Sequence, residues 1–272
     1  MLYLRWFAAA VAVLGFQPTL MPSAHAAADT GDRVAHLQEL VAAVTWQPLA
    51  KGIDELTVKE PQGADMHVYR LAQKSVEMRV LEQLQPTGSS ADQVGAAAKA
   101  ALTINGGFWW IKDGSSLAPN GLLIVDGRKL APSKTCSVCS GVLYTDKKGA
   151  HLDWAKAAAS AKGIGSALQA GPLIVNPGSK VGMRKPGGPE AARSAICLSG
   201  DQIYVFAIFN PLTLQETGQL LQAPVAAGGF GCERAINLDG GTSTQVFVNV
   251  PGHKTMIGFP RPVQNFVAFF AK

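Results

Sequence analysis

Several things this chain does not contain narrow its function. The mature region has no run of Lys or Arg and no aromatic residues interleaved with basic ones, which argues against a nucleic-acid partner. Beyond the N-terminus no apolar run is long enough to cross a bilayer, so no stable transmembrane span is expected after processing. There is no internal repeat, which removes solenoids and propellers. Metal signatures are also missing. The chain has neither a second CxxC nor a paired His, so zinc would lack two ligands. His67, His151 and His253 are isolated and give no ligand spacing, and no EF-hand spacing is present. No cofactor is expected, although a loop of Asp and carbonyls leaves a divalent cation open. Gly163-Ile-Gly-Ser-Ala167 is not a nucleophile elbow. Gly240-Gly-Thr-Ser243 lacks the lysine and spaced glycine of a phosphate-binding loop.

What is present begins with a targeting segment. Arg5 lies in a short positive region, Trp6 to Phe16 is apolar, and Ser23-Ala-His-Ala26 offers a small-x-small cleavage site. Residues 1–26 read as a signal peptide cleaved near Ala26, residues 27–45 as an N-terminal helical segment and residues 46–272 as one domain. The expected location is periplasmic or secreted. The 272 residues are 47% hydrophobic, enough for a sizeable core. The net charge of +5 serves solubility or mild attraction to an anionic substrate or the cell envelope. Export to an oxidising compartment allows the four cysteines to pair. Cys136-Ser-Val-Cys139 lies in a loop and not between a strand and a helix, which favours a local structural disulfide over redox chemistry. Cys197 and Cys232 read as small buried hydrophobes, and the sequence leaves their pairing open.

Periodicity predicts a helix over 29–44, then short strands at 53–59, 66–71 and 75–81, and a helix from Ser89 to about Ala101. A strand is expected from Leu102 that ends in Asn105-Gly-Gly107, with further strands at 121–125, 141–144, 169–175, 193–198, 202–209 and 263–270, and a helix at 151–162. Thr213-Leu-Gln-Glu216 is a capping box opening a helix to about Gln222. This irregular order of many strands and few helices predicts an α+β fold: mostly antiparallel sheets with a few packed helices in a single domain.

Three strands end in polar or glycine-bearing loops that packing does not require: Asn105-Gly-Gly107, Arg193-Ser194 and Asp239-Gly-Gly-Thr-Ser243. Glycines there let backbone N–H groups approach a ligand, and successive N–H groups make an anion-binding concavity. Asp239 supplies a negative charge, and Thr242 and Ser243 supply donors. The plain alternatives are turns, with Asp239 closing its own Asx turn, a surface role for Arg193, and capping alone for Glu216. Trp109 and Trp110 serve either the core or a platform for a sugar face.

These loops, in this order, resemble the phosphodiester glycosidase family. The pieces are Ile104-Asn-Gly-Gly-Phe108, Pro119 to Gly127, Gln169 to Val175, Arg193-Ser-Ala-Ile196, Thr213-Leu-Gln-Glu216, Ala235 to Ser243 and Arg261-Pro-Val-Gln-Asn265. The most specific is Asn237-Leu-Asp-Gly-Gly-Thr-Ser243. Thr242 departs from the usual small residue, and Asn210-Pro-Leu212 replaces a glycine before the capping box. The resemblance implies an exported hydrolase that cleaves the glycosidic C1–O bond of a sugar-1-phosphodiester in an envelope or extracellular glycan. The partner is then a carbohydrate or sugar-phosphate substrate. Asp239 and, in reserve, Glu216 would be the catalytic carboxylates. Arg193 and Arg261 would hold phosphate, and Asn105, Gly106, Gly107, Gly240, Gly241, Thr242 and Ser243 would line the substrate. The rival readings are a non-catalytic periplasmic glycan-binding protein on the same scaffold and a thiol protein using Cys136 and Cys139.

Overall fold

The computed structural model describes residues 30–59, 65–136, 138–183 and 185–272. The expected signal peptide and the turn at Pro61 to Gly63 lie outside the described residues. Helix α1 (Thr30–Ala43) is followed by β1 (Gln47–Ala50), β2 (Ile53–Lys59), β3 (Asp65–Ala72) and β4 (Val76–Glu82). Next come α2 (Ala91–Ala98) and β5 (Leu102–Asn105), then β6 (Trp109–Lys112), β7 (Ser116–Pro119), β8 (Leu123–Val125) and β9 (Arg128–Ala131). The chain continues through β10 (Gly141–Asp146), β11 (Gly149–Trp154), the single turn α3 (Ala155–Ala158), β12 (Ser166–Ala170), β13 (Leu173–Asn176) and β14 (Lys180–Val181). It ends with β15 (Ala191–Ser199), β16 (Gln202–Leu212), α4 (Leu214–Gln222), β17 (Arg234–Asn237), β18 (Gln245–Val250), β19 (His253–Gly258) and β20 (Asn265–Ala271).

The fold is α+β and mostly antiparallel, as the irregular strand order predicts. Eight strands form one sheet in the order β1-β2-β3-β16-β15-β17-β13-β14. Two five-stranded sheets, β19-β18-β5-β20-β4 and β11-β10-β12-β8-β9, pack against it, and β6-β7 is a separate hairpin. Period-two alternation sorts the side chains of the large sheet. Ile196 and Leu198 of β15, with Val205 and Ala207 of β16, face a core shared with the two smaller sheets. Ala195, Cys197, Phe206 and Ile208 face the other way, under Val34, Leu37 and Val41 of α1 and Leu220 and Leu221 of α4. Helix α4 starts at the expected capping box. The Thr213 hydroxyl accepts from the Glu216 N–H at 3.2 Å, and Glu216 Oε2 accepts from the Thr213 N–H at 2.8 Å.

Two expectations, for residues 169–175 and 151–162, are corrected. Residues 169–175 form two strands in different sheets, because Gly171 has a φ of 144° and Pro172 follows it with no N–H to donate. A Cβ on Gly171 would lie 2.4 Å from the Val138 carbonyl. The strand from Leu102 ends at Asn105, as expected, and the chain pairs again from Trp109 in the hairpin. The helix expected at 151–162 is one turn only, since 149–154 pairs with β10 as a strand. Among the described residues no helix is long and apolar enough to cross a membrane.

Both cysteine pairs are disulfides: Cys136–Cys139 closes the short loop, and Cys197–Cys232 ties β15 to the segment entering β17. The second spans a sequence separation of 35. Replacing both Cys197 and Cys232 by Ala is expected to lower the unfolding free energy by about 4 kcal/mol, from the loop-closure entropy of a loop that long. The same change at Cys136 and Cys139 should cost about half as much. Denaturant titration of the two variants under non-reducing conditions checks both magnitudes.

Candidate active site

The site is assembled around Asn105, the last residue of β5, which is fully buried. Its Oδ1 accepts hydrogen bonds from the Ser194 hydroxyl (2.7 Å) and the Gln245 N–H (3.2 Å), and its Nδ2 donates to the Asp239 carbonyl (2.6 Å). One amide thereby joins β5, β15, β18 and the loop after β17. The return contact is the Asp239 N–H donating to the Gly106 carbonyl at 2.9 Å.

The two glycines after Asn105 shape the loop without presenting donors. The Gly106 N–H donates to the Asn265 carbonyl at 2.8 Å, and the Gly107 N–H to Asn265 Oδ1 at 2.7 Å. Neither N–H is left for a ligand, contrary to the sequence reading. Gly106 is required by space: a Cβ there would sit 2.1 Å from Asn265 Oδ1. Gly240 is similarly confined, 2.7 Å from the Ala192 carbonyl, whereas Gly241 is open and has a φ of 59°. The loop then tightens into a 3-10 turn, Gly241–Ser243, with Thr242 exposed and Ser243 buried.

The Asp239 carboxyl is half-buried at the mouth of this loop. Burial pushes its pKa above the ordinary aspartate value. The Ser243 hydroxyl, the Gly240 N–H, the Trp109 indole and the Arg261 charge act in the opposite sense and favour the ionised form. The Trp109 indole N–H is directed at the carboxylate without reaching hydrogen-bond geometry. The Trp109 ring packs beside a cluster containing Val94, Phe247 and Phe266, as the core role expects, and its polar edge faces Asp239. Trp110, next in the hairpin, is half exposed.

The structure therefore brings Asn105, Gly106, Gly107, Asp239, Gly240, Gly241, Thr242 and Ser243 together, with Arg261 exposed nearby. It does not bring Arg193 and Glu216 to the same place. Ser194 points to the face of the large sheet that carries Asn105, and the pleat sends Arg193 to the other face. Arg193 Nε donates to the Leu212 carbonyl (2.8 Å) and Nη2 to the Pro189 carbonyl (2.6 Å). Burial depresses its pKa, and the nearby Glu216 charge resists that. Glu216 is completely buried in its capping box, with Oε1 3.5 Å from Arg33 Nε of α1. Sequence reasoning missed Gln245 and underrated Asn265. Their signal was the buried amide: both are interior polar residues flanking apolar strands, and such groups need partners. Among the described residues no group of three or more His, Cys, Asp or Glu is placed to hold a metal ion.

This architecture matches known proteins. The phosphodiester glycosidase family model covers residues 98–270, more than half of the chain, and begins after β4. Among solved structures, the catalytic domain of zebrafish N-acetylglucosamine-1-phosphodiester alpha-N-acetylglucosaminidase, auto-inhibited by its pro-peptide, aligns with a TM-score of 0.60 at 14% identity. That alignment covers 84% of this chain and 82% of the zebrafish one. A hypothetical protein from Synechocystis aligns with a TM-score of 0.55 at 15% identity, over 84% of this chain and 64% of the other. No curated protein matches. At these identities the solved structures show a shared fold, and the family model carries the assignment over β5, the Asp239 loop and β20. The chain belongs to the phosphodiester glycosidase family.

Proposed function

We propose that the protein is an exported hydrolase that cleaves the glycosidic C1–O bond of a sugar-1-phosphodiester in an envelope or extracellular glycan or glycoconjugate. The observation that carries this reading is a half-buried carboxylate, Asp239, held at the mouth of a rigid loop by the Asn105 clamp and faced by Ser243, Trp109 and Arg261. The two disulfides are consistent with an extracellular or periplasmic protein.

A phosphate ester is a good leaving group, so the reaction needs little help from a general acid. It needs stabilisation of positive charge on the sugar ring and of negative charge on the departing phosphate. Ionised Asp239 faces C1 and either stabilises the oxocarbenium-like centre or attacks it. Arg261, exposed and close enough to act on Asp239, holds the phosphate by charge-assisted hydrogen bonds. Thr242 and Ser243 orient the sugar, and Trp109 and Trp110 supply an apolar face. Arg193, whose Nε and Nη2 already bond the Leu212 and Pro189 carbonyls, props the segment that leads to Ala192, whose carbonyl lies against Gly240. Glu216 is assigned to the α4 cap and to the charges of Arg33 and Arg193.

The primary test is release of free sugar from a panel of sugar-1-phosphodiesters by purified mature protein and by Asp239→Asn. Wild type should turn over, and the variant should lose at least about a hundredfold in kcat, comparable to loss of one well-placed charge-stabilising group. No release from any of them, with retained binding to an envelope polysaccharide, would replace this reading by the glycan-binding one.

Three further outcomes follow from the surroundings of Asp239. Its pKa is raised on folding, so the native state binds more protons than the unfolded chain between the two values, and stability falls as pH rises through that window. Asp239→Asn should therefore melt above wild type at neutral pH, and the gap should close as pH drops below the unfolded aspartate value. In wild type, the acid limb of the kcat/KM profile should lie above the ordinary aspartate range, rising with pH as Asp239 ionises. Arg261→Ala should lower kcat/KM for phosphodiesters roughly 10- to 100-fold, the scale of one hydrogen bond to a charged group. It should leave the melting temperature nearly unchanged because the side chain is exposed. Steady-state kinetics beside thermal melts separates the two effects.

A further inference from the structure

A second polar cleft lies on the same face of the large sheet as Ser194. Residues of four strands form one cross-strand row: Ser194 pairs with Ala207, Ala207 with His67, and His67 with Thr57. Ser194 donates to Asn105 at one end of the row. His67, two strands away and so roughly 10 Å along the sheet, lines a cleft of about 460 Å³ between β2, β3, β16 and β19. That volume is within the range of small-ligand sites. At one end of the cleft Gly258 pairs with Gln245 of β18, whose N–H donates to Asn105 Oδ1, so the cleft borders the strand that leaves the Asp239 loop. Its Phe209 and Gly258 close on each other, and a Cβ at Gly258 would lie 2.5 Å from the carbonyl of Thr244, the residue after Ser243.

The lining is polar and partly unsatisfied. His67 is buried and sits between two carboxylates, with Nδ1 3.6 Å from Glu55 Oε1 and Nε2 3.2 Å from Asp65 Oδ1. Tyr69 donates to Glu55 Oε1 at 2.9 Å. His253 Nε2, on the opposite wall, is buried and has no hydrogen-bond partner, and Asp65 Oδ1 also makes no hydrogen bond. The Phe209 ring stands edge-on to the His67 ring at 6.4 Å and contributes an apolar surface. Two carboxylates outnumber the one lysine of the lining, Lys59, and disfavour phosphate. With both carboxylates already within 3.6 Å of the His67 ring, a bare cation gains little. Donors and acceptors alternating over a few ångströms beside one aromatic ring suit the vicinal hydroxyls of a neutral sugar.

We propose that the Glu55–His67–His253–Phe209 cleft is a saccharide subsite that holds a second sugar unit of the glycan whose terminal sugar lies at Asp239. The protein would then prefer an oligosaccharide end over an isolated sugar phosphodiester. The subsite extends the proposed hydrolytic reading, yet binding of uncharged sugars tests it independently of turnover.

The experiment is titration of the wild-type protein with N-acetylglucosamine and glucose oligomers of one to four units, following the imidazole resonances of His67 and His253 by NMR. The expected result is selective movement of both resonances, with affinity rising at least tenfold from one unit to three. Phe209→Ala and His67→Gln should abolish that gain while leaving turnover of a methyl-phosphodiester sugar unchanged, with thermal melts confirming that each variant folds. Unmoved imidazoles with every oligomer would overturn the subsite, whatever the phosphodiester assay shows. So would affinity independent of length, or movement on adding zinc alone. Normal oligosaccharide binding with no phosphodiester turnover would sink the hydrolytic reading and leave the cleft a sugar site.

Discussion

The carboxamide of Asn105 is the constraint on which the rest of the site depends. A fully buried amide left without partners costs about 1–3 kcal/mol per unsatisfied group, so its environment has to supply them. Here the partners come from three distant parts of the chain: Ser194 of β15, the Gln245 N–H of β18 and the Asp239 carbonyl. Moving any one of these elements breaks a hydrogen bond with no water to replace it. The position of Asp239 is thus fixed through the backbone on both sides, by Asn105 Nδ2 and by the Gly106 carbonyl. Asn265 repeats the device one strand over, with its carbonyl and its side chain each accepting from a glycine N–H. The glycines matter because they let these backbones approach, and the family resemblance rests on the same short stretches.

The pleat of the large sheet decides which polar residues can cooperate. Neighbours along β15 face opposite layers. Ser194 therefore joins Asn105, and Arg193 is spent on the carbonyls of Leu212 and Pro189 beneath the helical layer. Glu216 lies in that layer too, where it caps α4 and approaches Arg33 of α1. A buried cap and two arginines give this acid a structural task, and removing its charge would leave Arg193 less compensated. The charges nearest the sheet thus form two groups, one binding helices to the sheet and one, Asp239 with Arg261, open to solvent.

Much of this was legible in the sequence where the signal is local. The capping box at Thr213 to Glu216 and the strands at 193–198 and 202–209 each depend on residues a few positions apart, and all are found. The breaks were harder. Gln169 to Val175 reads as one apolar run, but Gly171-Pro172 sends its halves to different sheets. Residues 151–162 carry alanines suited to a helix, yet β10 captures the first part of them as a strand. Tertiary pairing overrode local propensity in that case. The Cys197–Cys232 bond, Arg193's orientation and the meeting of His67 with His253 depend on register between strands far apart in sequence. Single-residue spacing carries no trace of that register.

Asp239 itself separates the structural and chemical readings of its loop. If the residue served only to close an Asx turn onto the Gly240 N–H, asparagine would do so equally well, since both side chains make that turn. Asparagine would also avoid the cost of bringing a carboxylate under partial cover, which the upward pKa shift expresses. The chain instead keeps an acid at the end of a buried strand and gathers a hydroxyl, an indole edge and an arginine toward it. A locally unfavourable choice surrounded by groups that ease it is the pattern expected where stability is traded for chemistry. In the proposed reaction that residual penalty would be useful: a carboxylate incompletely solvated by its own protein is better compensated once a positively charged sugar ring develops beside it.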